Sequence, residues 1–288
     1  MQHLHHSALG SFGPVLLTAL LVFVAIAYLS GWRRLRSTPV SVSGSRAFGF
    51  LVGLFVIWIA AGSRLAALDH ELLTVHMLKH LLLMTVAPPL IWLGEPVRAL
   101  ARGLPHNSQR VFQRPVVQKI GHFLGQPQFC WLAATAALIL WHVPAIFELG
   151  MQSPAWHLIE QSSFFVTGLL FWWPVVQPWP SASIPDLSMI LYLFFATLPC
   201  DILSGFLVFC DRVVYPVYLS SSHLWGFSTL EDQQCAAALM WTCVTVVYLI
   251  AGAVLTHRML SPQHMHRGFA ELTIKQVQHG PGALQHGD

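Results

Sequence analysis

Four histidines lie at the ends of long apolar stretches, where their imidazoles could bind a metal ion. His76 and His80 are four residues apart and share one helical face, and Met84 continues that stripe. His142 follows Trp141 near the end of a later apolar stretch. His157 begins the next one. Neutral imidazole binds copper and zinc, and methionine sulfur favours Cu(I). The pattern therefore predicts a copper site.

Three acidic residues accompany these histidines. Glu160 lies one turn after His157, Asp201 lies inside a later apolar stretch, and Asp232 begins the last one. An ionisable group inside a bilayer is costly and usually has a functional partner. We expect Met84, Glu160, Asp201 and Asp232 to surround the metal ligands or to exchange protons with them. Asp232 could instead stabilise a helix N-terminus, where the helix dipole favours an anion.

The composition is that of an integral membrane protein. Hydrophobic residues make up 55% of the 288 residues and charged residues only 9%, whereas a soluble domain has roughly 25% charged residues. Apolar runs long enough to cross a bilayer as helices take about 20 residues each. We predict an all-α bundle of seven transmembrane helices, at 14–30, 48–68, 76–94, 128–147, 156–176, 187–209 and 234–256.

The distribution of basic residues predicts the orientation of this bundle. If the N-terminus lies outside and the C-terminus inside, twelve of the 15 Lys and Arg residues fall on the inner side, as expected for cytoplasmic loops. Residues 1–256 then form one membrane domain, and residues 257–288 form a polar cytoplasmic tail. The net charge of +3 reflects this orientation and gives no reason to expect nucleic-acid binding. All four histidines fall near the outer boundary.

Other interpretations of the histidines stay open at this stage. Each one alone could hydrogen-bond water or a carbonyl at the wet end of the bundle. Two histidines on different helices could instead ligate a haem iron, although His76 and His80 share a face and would converge on one side of a site. Cys210 and Cys235 both fall near the outer face, so a disulfide is conceivable. Because no catalytic motif is visible, we expect a protein that is not an enzyme.

Three strings of residues carry a resemblance to a known family. They are HMLKHLLLMTVAPPLIWLGEP at 76–96, WHVPAIFELGMQSPAWHLIEQSSFFVTGLLFWWPVV at 141–176, and DQQ at 232–234. They resemble the CtaG-type cytochrome c oxidase assembly proteins of bacteria, which are polytopic membrane proteins. Together with the hydropathy, the resemblance spans most of residues 14–256.

The resemblance implies a role in assembling haem-copper oxidase in the bacterial cytoplasmic membrane, at the step where copper reaches the oxidase. It implies oxidase subunits and the lipid bilayer as partners, with a periplasmic copper chaperone as a further candidate. The motif histidines are His76, His80, His142 and His157. The family usually has a histidine after the glutamate of its fifth segment, where this chain has Gln161.

Three functions follow as hypotheses. The first is an assembly factor that binds copper at the outer face and passes it to a nascent oxidase subunit. The second is a membrane transporter of a metal ion or small solute, which requires polar residues that continue to the inner face. The third is a haem-binding redox protein, which an absorbance spectrum would reveal.

Overall fold

The computed structural model describes residues 3–36, 42–103, 119, 121, 123–176, 187–220 and 226–260. Within these ranges every regular element is helical, which confirms the predicted all-α class. Short 3-10 turns lie at Arg64–His70 and Pro216–Ser220. The longer helices are α1 His3–Leu35, α2 Gly44–Gly62, α3 Leu73–Leu93, α4 Pro96–Gly103, α5 Pro127–His142, α6 Pro144–Gln152, α7 Pro154–Val176, α8 Leu187–Phe209 and α9 Thr229–Leu260.

Several of these helices are long and apolar enough to cross a membrane. Among the described residues there are five, in α1, α2, α3, α8 and α9, and up to six if the bent pair α5–α6 counts as one span. Helix α7 has 23 residues but is not among these spans, and five polar side chains lie in its first half, at His157, Glu160, Gln161, Ser162 and Ser163. The chain is therefore a multi-pass membrane protein by its helices, and the count of seven stays a prediction.

Helix α5 ends earlier than the sequence predicted. The predicted span 128–147 is not one helix, since α5 stops at His142 and α6 leaves it at an angle of 78°. Val143 has extended backbone angles, φ −66° and ψ 123°, because the ring of Pro144 disfavours the helical conformation in the residue before it. Pro144 then occupies the first turn of α6, where its missing N–H has no cost. The break leaves His142 at a helix end.

Helix α3 is central and contains a local change of winding. It packs against α2, α7 and α9, and its residues Leu82–Val86 form a π turn. In a regular helix the carbonyl of Met84 would accept the N–H of residue 88, but Pro88 has none. The indole N–H of Trp172 on α7 donates to this carbonyl instead, at 3.2 Å. A Cβ at Gly168 would lie 2.7 Å from the same oxygen, so a glycine is needed for this approach.

The outward faces of the bundle are apolar, as expected for contact with lipid. Leu16, Ile202 and Phe209 are more than 70% exposed, at 72%, 73% and 77%. A folded protein in water rarely leaves so much apolar area uncovered.

One end of the bundle collects the polar residues, and we call it the histidine end. It contains the starts of α3, α7 and α9 and the ends of α5 and α8, which adjoin one another through contacts described below. Ser228 precedes α9 and forms a capping box with Glu231, since the Ser228 amide donates to the Glu231 carboxylate at 2.8 Å. At the other end α9 continues to Leu260, four residues beyond the predicted boundary. The remainder of the predicted tail, 261–288, lies outside the described residues.

Candidate metal centre

Three buried side chains from α3 and α7 form a compact group of metal-ligand type. His76 Nε2 lies 3.3 Å and His80 Nε2 3.5 Å from the same atom, Glu160 Oε1. The donor atoms of the three residues all lie within 4.8 Å of one another. The two imidazole rings meet edge to face, with centroids 4.3 Å apart. The i, i+4 spacing on α3 thus places both rings toward one carboxylate on α7.

Most donor atoms of this group have no hydrogen-bond partner in the described part of the chain. Among the described residues, neither ring nitrogen of His76, neither oxygen of Glu160 and not the Nδ1 of His80 has a hydrogen-bond partner. His76 and Glu160 are each 1% exposed. Burying an ionised carboxylate without compensation costs several kcal/mol or more, and the ion pairs of Glu160 in the described part of the chain are with histidines. A bound cation or a protonated imidazole would remove that cost.

A second polar group adjoins the first. His157 on α7 lies between them, with Nδ1 3.3 Å from Glu160 Oε2 and Nε2 2.8 Å from Asp69 Oδ2. Asp69 also forms an ion pair with Lys79 of α3, and both side chains are buried. Burial alone would raise the pKa of Asp69, but the hydrogen bond with His157 and the charge of Lys79 outweigh it and hold that pKa well below its ordinary value. Asp69 is therefore an anion.

Asp69, His70 and His157 form a second set of possible metal ligands. His70 is half exposed, and its Nε2 lies 3.8 Å from Asp69 Oδ1. Burial lowers the pKa of His70 below its ordinary value. However, the ammonium of Lys79 already balances the charge of Asp69. The set at Glu160 is the better metal site, since there no lysine or arginine pairs with the carboxylate among the described side chains.

Asp232 holds the start of α3 in place. Its carboxylate accepts the backbone N–H of Leu73 at 2.7 Å and of Thr74 at 3.2 Å, and also the Thr74 hydroxyl at 2.6 Å. Leu72 precedes α3 and has no side chain that could cap it. Asp232 thus stabilises a helix N-terminus, as one reading of the sequence allowed, but the helix is α3 rather than its own. It fixes the turn that precedes His76.

The next residue of the DQQ string also has a structural role. Gln233 accepts the N–H of Val214 at 2.7 Å and donates to the carbonyls of Arg212 and Leu207, at 3.2 and 3.4 Å. These bonds tie the connection after α8 to the start of α9. The connection in turn supplies Tyr215 and Tyr218, both buried near the histidines.

Helix α6 covers the metal-ligand group. Phe147 packs on His76, with ring centroids 4.9 Å apart, and on Tyr215 at 4.3 Å. A Cβ at Gly150 would lie 3.1 Å from Glu160 Oε2, so α6 approaches the carboxylate closely. Tyr215 donates to the carbonyl of His142 at 3.1 Å and satisfies the end of α5. The bend at Val143 therefore places α6 over the site, where Phe147 packs between His76 and Tyr215.

His142 and Met84 lie beside this group and not in it. The Nδ1–H of His142 donates to the carbonyl of Leu138 at 2.7 Å, and the ring of Phe164 packs between His142 and His80. Both His142 and Met84 border a neighbouring cavity. The structure thus brings together His76, His80, His157 and Glu160 of the predicted site residues.

The remaining predicted residues are elsewhere. Asp201 lies next to Cys200 on α8, and its Oδ1 has no hydrogen-bond partner in the described part of the chain. It belongs to neither set of donor atoms. Cys210 and Cys235 are free thiols, so the conceivable disulfide is absent from this structure.

Sequence reasoning missed Asp69 and its partner Lys79. A signal for the pair was present, because Lys79 lies within the predicted span 76–94 and a lysine there needs a partner. Asp69 comes from the loop just before that span. Its proximity to Lys79 depends on the 3-10 turn at Arg64–His70, which hydropathy does not predict.

The donor set fits a transition metal. Two imidazoles and one carboxylate suit copper or zinc, and among the described residues both ring nitrogens of His76, both oxygens of Glu160 and the Nδ1 of His80 have no hydrogen-bond partner. His76, His80 and Glu160 would hold the ion, with His157 within reach of Glu160. Asp69 would orient the imidazole of His157, as carboxylates commonly do around metal sites.

Comparison with known proteins gives a family and two distant relatives. Residues 26–261 match the family described as cytochrome c oxidase caa3 assembly factor (Caa3_CtaG). Two uncharacterized proteins, Mb0105 of Mycobacterium bovis and MT0111 of Mycobacterium tuberculosis, are each 24% identical over 244 residues, which is 81% of this chain. The chain spans only 37% of the length of these curated relatives. No solved structure matches it significantly.

Proposed function

Because the chain belongs to the cytochrome c oxidase caa3 assembly factor family, we propose that it holds copper at His76, His80 and Glu160 and supplies it to a nascent oxidase subunit. The protein's part is to bind and release the ion. His76 and His80 provide the nitrogen ligands, and Glu160 provides the negative charge that a cation balances. Oxidase subunits are then its partners in the membrane.

One observation carries this proposal. Glu160 is buried and ionisable, lies against two buried imidazoles, and has no hydrogen bond on either oxygen among the described residues. The polar groups around it, at Asp232 and Gln233, are well bonded. A region that satisfies its framework atoms and leaves three ligand side chains unsatisfied is organised to bind something.

The proposal includes an orientation, with seven spans and the histidine end toward the outer compartment of a bacterial cytoplasmic membrane. Support comes from the opposite end of the bundle, where Arg46 pairs with Glu95 and Arg98 lies one turn further on. Arg33 and Arg34 end α1 there as well. Basic residues collect on the cytoplasmic side. Copper that arrives from outside would therefore reach His76 and His80 first.

The test is metal analysis of the purified protein together with oxidase maturation in cells. We expect His76→Leu/His80→Leu to lose copper and to give oxidase without its copper. His257→Leu is the matched control, because His257 is exposed near the far end of α9. It removes a histidine without touching the site. Thermal melting of both variants would verify that they remain folded.

Three results would contradict the proposal. Full copper retention by the double variant would show that His76 and His80 are not the copper ligands. Normal oxidase activity in a strain without the protein would show that the protein is not needed for oxidase assembly. A haem absorbance band in the purified wild-type protein, lost in the double variant, would replace copper with haem iron.

A further inference from the structure

A cavity inside the bundle lies next to the copper site and has different chemistry. Its volume is about 40 Å³, which exceeds the roughly 10–15 Å³ that one water requires. Residues of helices α3, α5, α7, α8 and α9 line it. The side chains on its wall that carry possible metal donors are Met77, Met84, Met240, Cys200, His80 and His142.

The sulfur content of this wall is high. Three of the chain's eight methionines line the one cavity, and a buried cysteine lies among them. Thioether and thiol sulfur are soft ligands that prefer Cu(I) to Zn²⁺ or to hard cations. Methionines also fill irregular gaps in cores, so the sulfur atoms alone do not make a site.

His142 supplies the second and independent observation. Its Nδ1–H donates to the carbonyl of Leu138, and this fixes the tautomer in which Nε2 carries a lone pair. That Nε2 is buried and has no hydrogen-bond partner among the described residues. The whole residue is only 6% exposed, so bulk water does not reach it freely. A histidine anchored through one nitrogen, with the other unpaired beside a cavity, has the arrangement of a metal-ligating histidine.

His80 connects the two places. Its Nε2 lies 3.5 Å from Glu160 Oε1 in the first site, while the residue also borders the cavity and its Nδ1 has no hydrogen-bond partner in the described part of the chain. The first site offers nitrogen and oxygen ligands, and the cavity offers sulfur and nitrogen. His80 therefore borders both places.

We propose that this cavity is a second metal site, selective for Cu(I), with His142 Nε2 and the sulfurs of Met77, Met84 and Met240 as its ligands. The inference extends the proposed function, since it assigns a second position for copper, deeper in the bundle than His76. It does not depend on the first site being occupied. No change in the oxidation state of copper is needed, because the site takes Cu(I) directly.

The experiment is an anaerobic Cu(I) titration of the full-length protein in detergent, in competition with a coloured Cu(I) chelator, followed by X-ray absorption at the copper edge. We expect two equivalents of Cu(I) in the wild type and sulfur neighbours in the absorption spectrum. Met84→Leu/Met240→Leu should bind one equivalent, lose the sulfur signal and weaken Cu(I) binding by about tenfold or more at the second position.

The control is Met189→Leu, since Met189 is a half-buried methionine on α8 that does not line the cavity. Leucine and methionine have similar volumes, so both changes should leave folding intact, and melting curves verify this. His142→Phe should reproduce the loss of the second equivalent. It removes the proposed nitrogen ligand and leaves the three methionines in place.

The outcomes separate the two proposals. One equivalent with only nitrogen and oxygen neighbours overturns the cavity site and leaves the first site standing. One equivalent with sulfur neighbours that survives His76→Leu supports the cavity site and overturns the first. No retained Cu(I) in the wild type overturns both. A sulfur signal that persists in the double methionine variant also refutes the assignment of these ligands.

Discussion

Asp69→Asn tests whether the buried ion pair supports the metal centre. The change removes the negative charge opposite Lys79 and keeps the shape of the side chain. Lys79 and Asp69 are 2% and 1% exposed, so solvent does not screen the lost attraction. Removing one partner of a buried pair costs about 3–5 kcal/mol, because the other charge is left uncompensated. His157 remains 3.4 Å from the Lys79 ammonium, so we expect the lower part of that range, about 3 kcal/mol.

Thermal unfolding with a thiol-reactive dye measures this effect. Cys130 and Cys200 are buried free thiols, and they react only when the bundle opens. With about 2–4 °C for each kcal/mol, the midpoint of Asp69→Asn should fall by about 10 °C. Glu95→Gln is the matched control, because it makes the same chemical change in a pair whose Arg46 side chain is 50% exposed. It should cost about 0–1 kcal/mol.

A second variant makes the reasoning refutable. Asp69→Asn/Lys79→Met removes both charges and should recover most of the lost stability, since an apolar pair avoids the desolvation penalty. The single variant could melt like the wild type, or the double variant could be no more stable than the single one. Either result would show that Asp69 and Lys79 do not stabilise the fold by balancing each other's charge.

The pH dependence of the same pair has a definite sign. The pKa of Asp69 in the folded protein lies below its ordinary value of 3.8. The pair therefore contributes its stability in full above that value and loses it as the pH falls toward the folded-state pKa. The difference in melting midpoint between wild type and Asp69→Asn should therefore persist from about pH 7 to about pH 5 and disappear only in stronger acid. A difference that shrank near neutral pH would point to a histidine instead.

Three further variants test the framework around the site. Gly168→Ala places a Cβ 2.7 Å from a backbone oxygen of α3 and should lower the free energy of unfolding by about 1–3 kcal/mol in melting experiments. Gly205→Ala is the control, because its Cβ would have nothing within 4 Å, and it should not lower the free energy of unfolding. Equal effects of the two changes would refute the packing argument. Asp232→Ala removes the cap of α3. It should lower the free energy of unfolding by about 1 kcal/mol and weaken copper retention severalfold. Unchanged retention would show that copper binding does not depend on this cap. Gln161→His introduces an imidazole next to His157 and should tighten binding of divalent copper in calorimetric titration. Unaltered affinity would show that this position does not reach the ion.

Much of the fold could be predicted from the sequence because hydropathy depends on local composition. The positions of α1, α2, α3, α8 and α9 follow from apolar runs. The break after His142 could not be predicted in this way. Pro144 was visible in the sequence, but a proline can either kink a membrane helix or end it. Similarly, the π turn before Pro88 depends on Trp172 supplying a hydrogen bond from another helix.

The site could be predicted only in part, for a geometric reason. The i, i+4 spacing fixes a shared face for His76 and His80 whatever the rest of the chain does. The topology estimate also gave the depth of His142 and His157, but depth does not determine which way a side chain points around its helix. His157 points to Glu160 and Asp69, whereas His142 points to a different cavity. Asp69 was missed because it lies in a loop outside the predicted spans.

The pattern of satisfied and unsatisfied polar atoms at the histidine end argues for binding rather than for incomplete packing. Asp232, Gln233 and Tyr215 make good hydrogen bonds to backbone groups from distant parts of the chain. If the region were poorly packed, these long-range bonds would be missing too. Instead, nine of the ten buried side-chain atoms without a partner in the described part of the chain belong to histidines or carboxylates, and five of them belong to His76, His80 and Glu160 on facing helices. Local rules are usually broken at functional sites, and a group in which both oxygens of Glu160 and both ring nitrogens of His76 are buried without a hydrogen-bond partner among the described residues is suited to hold a cation.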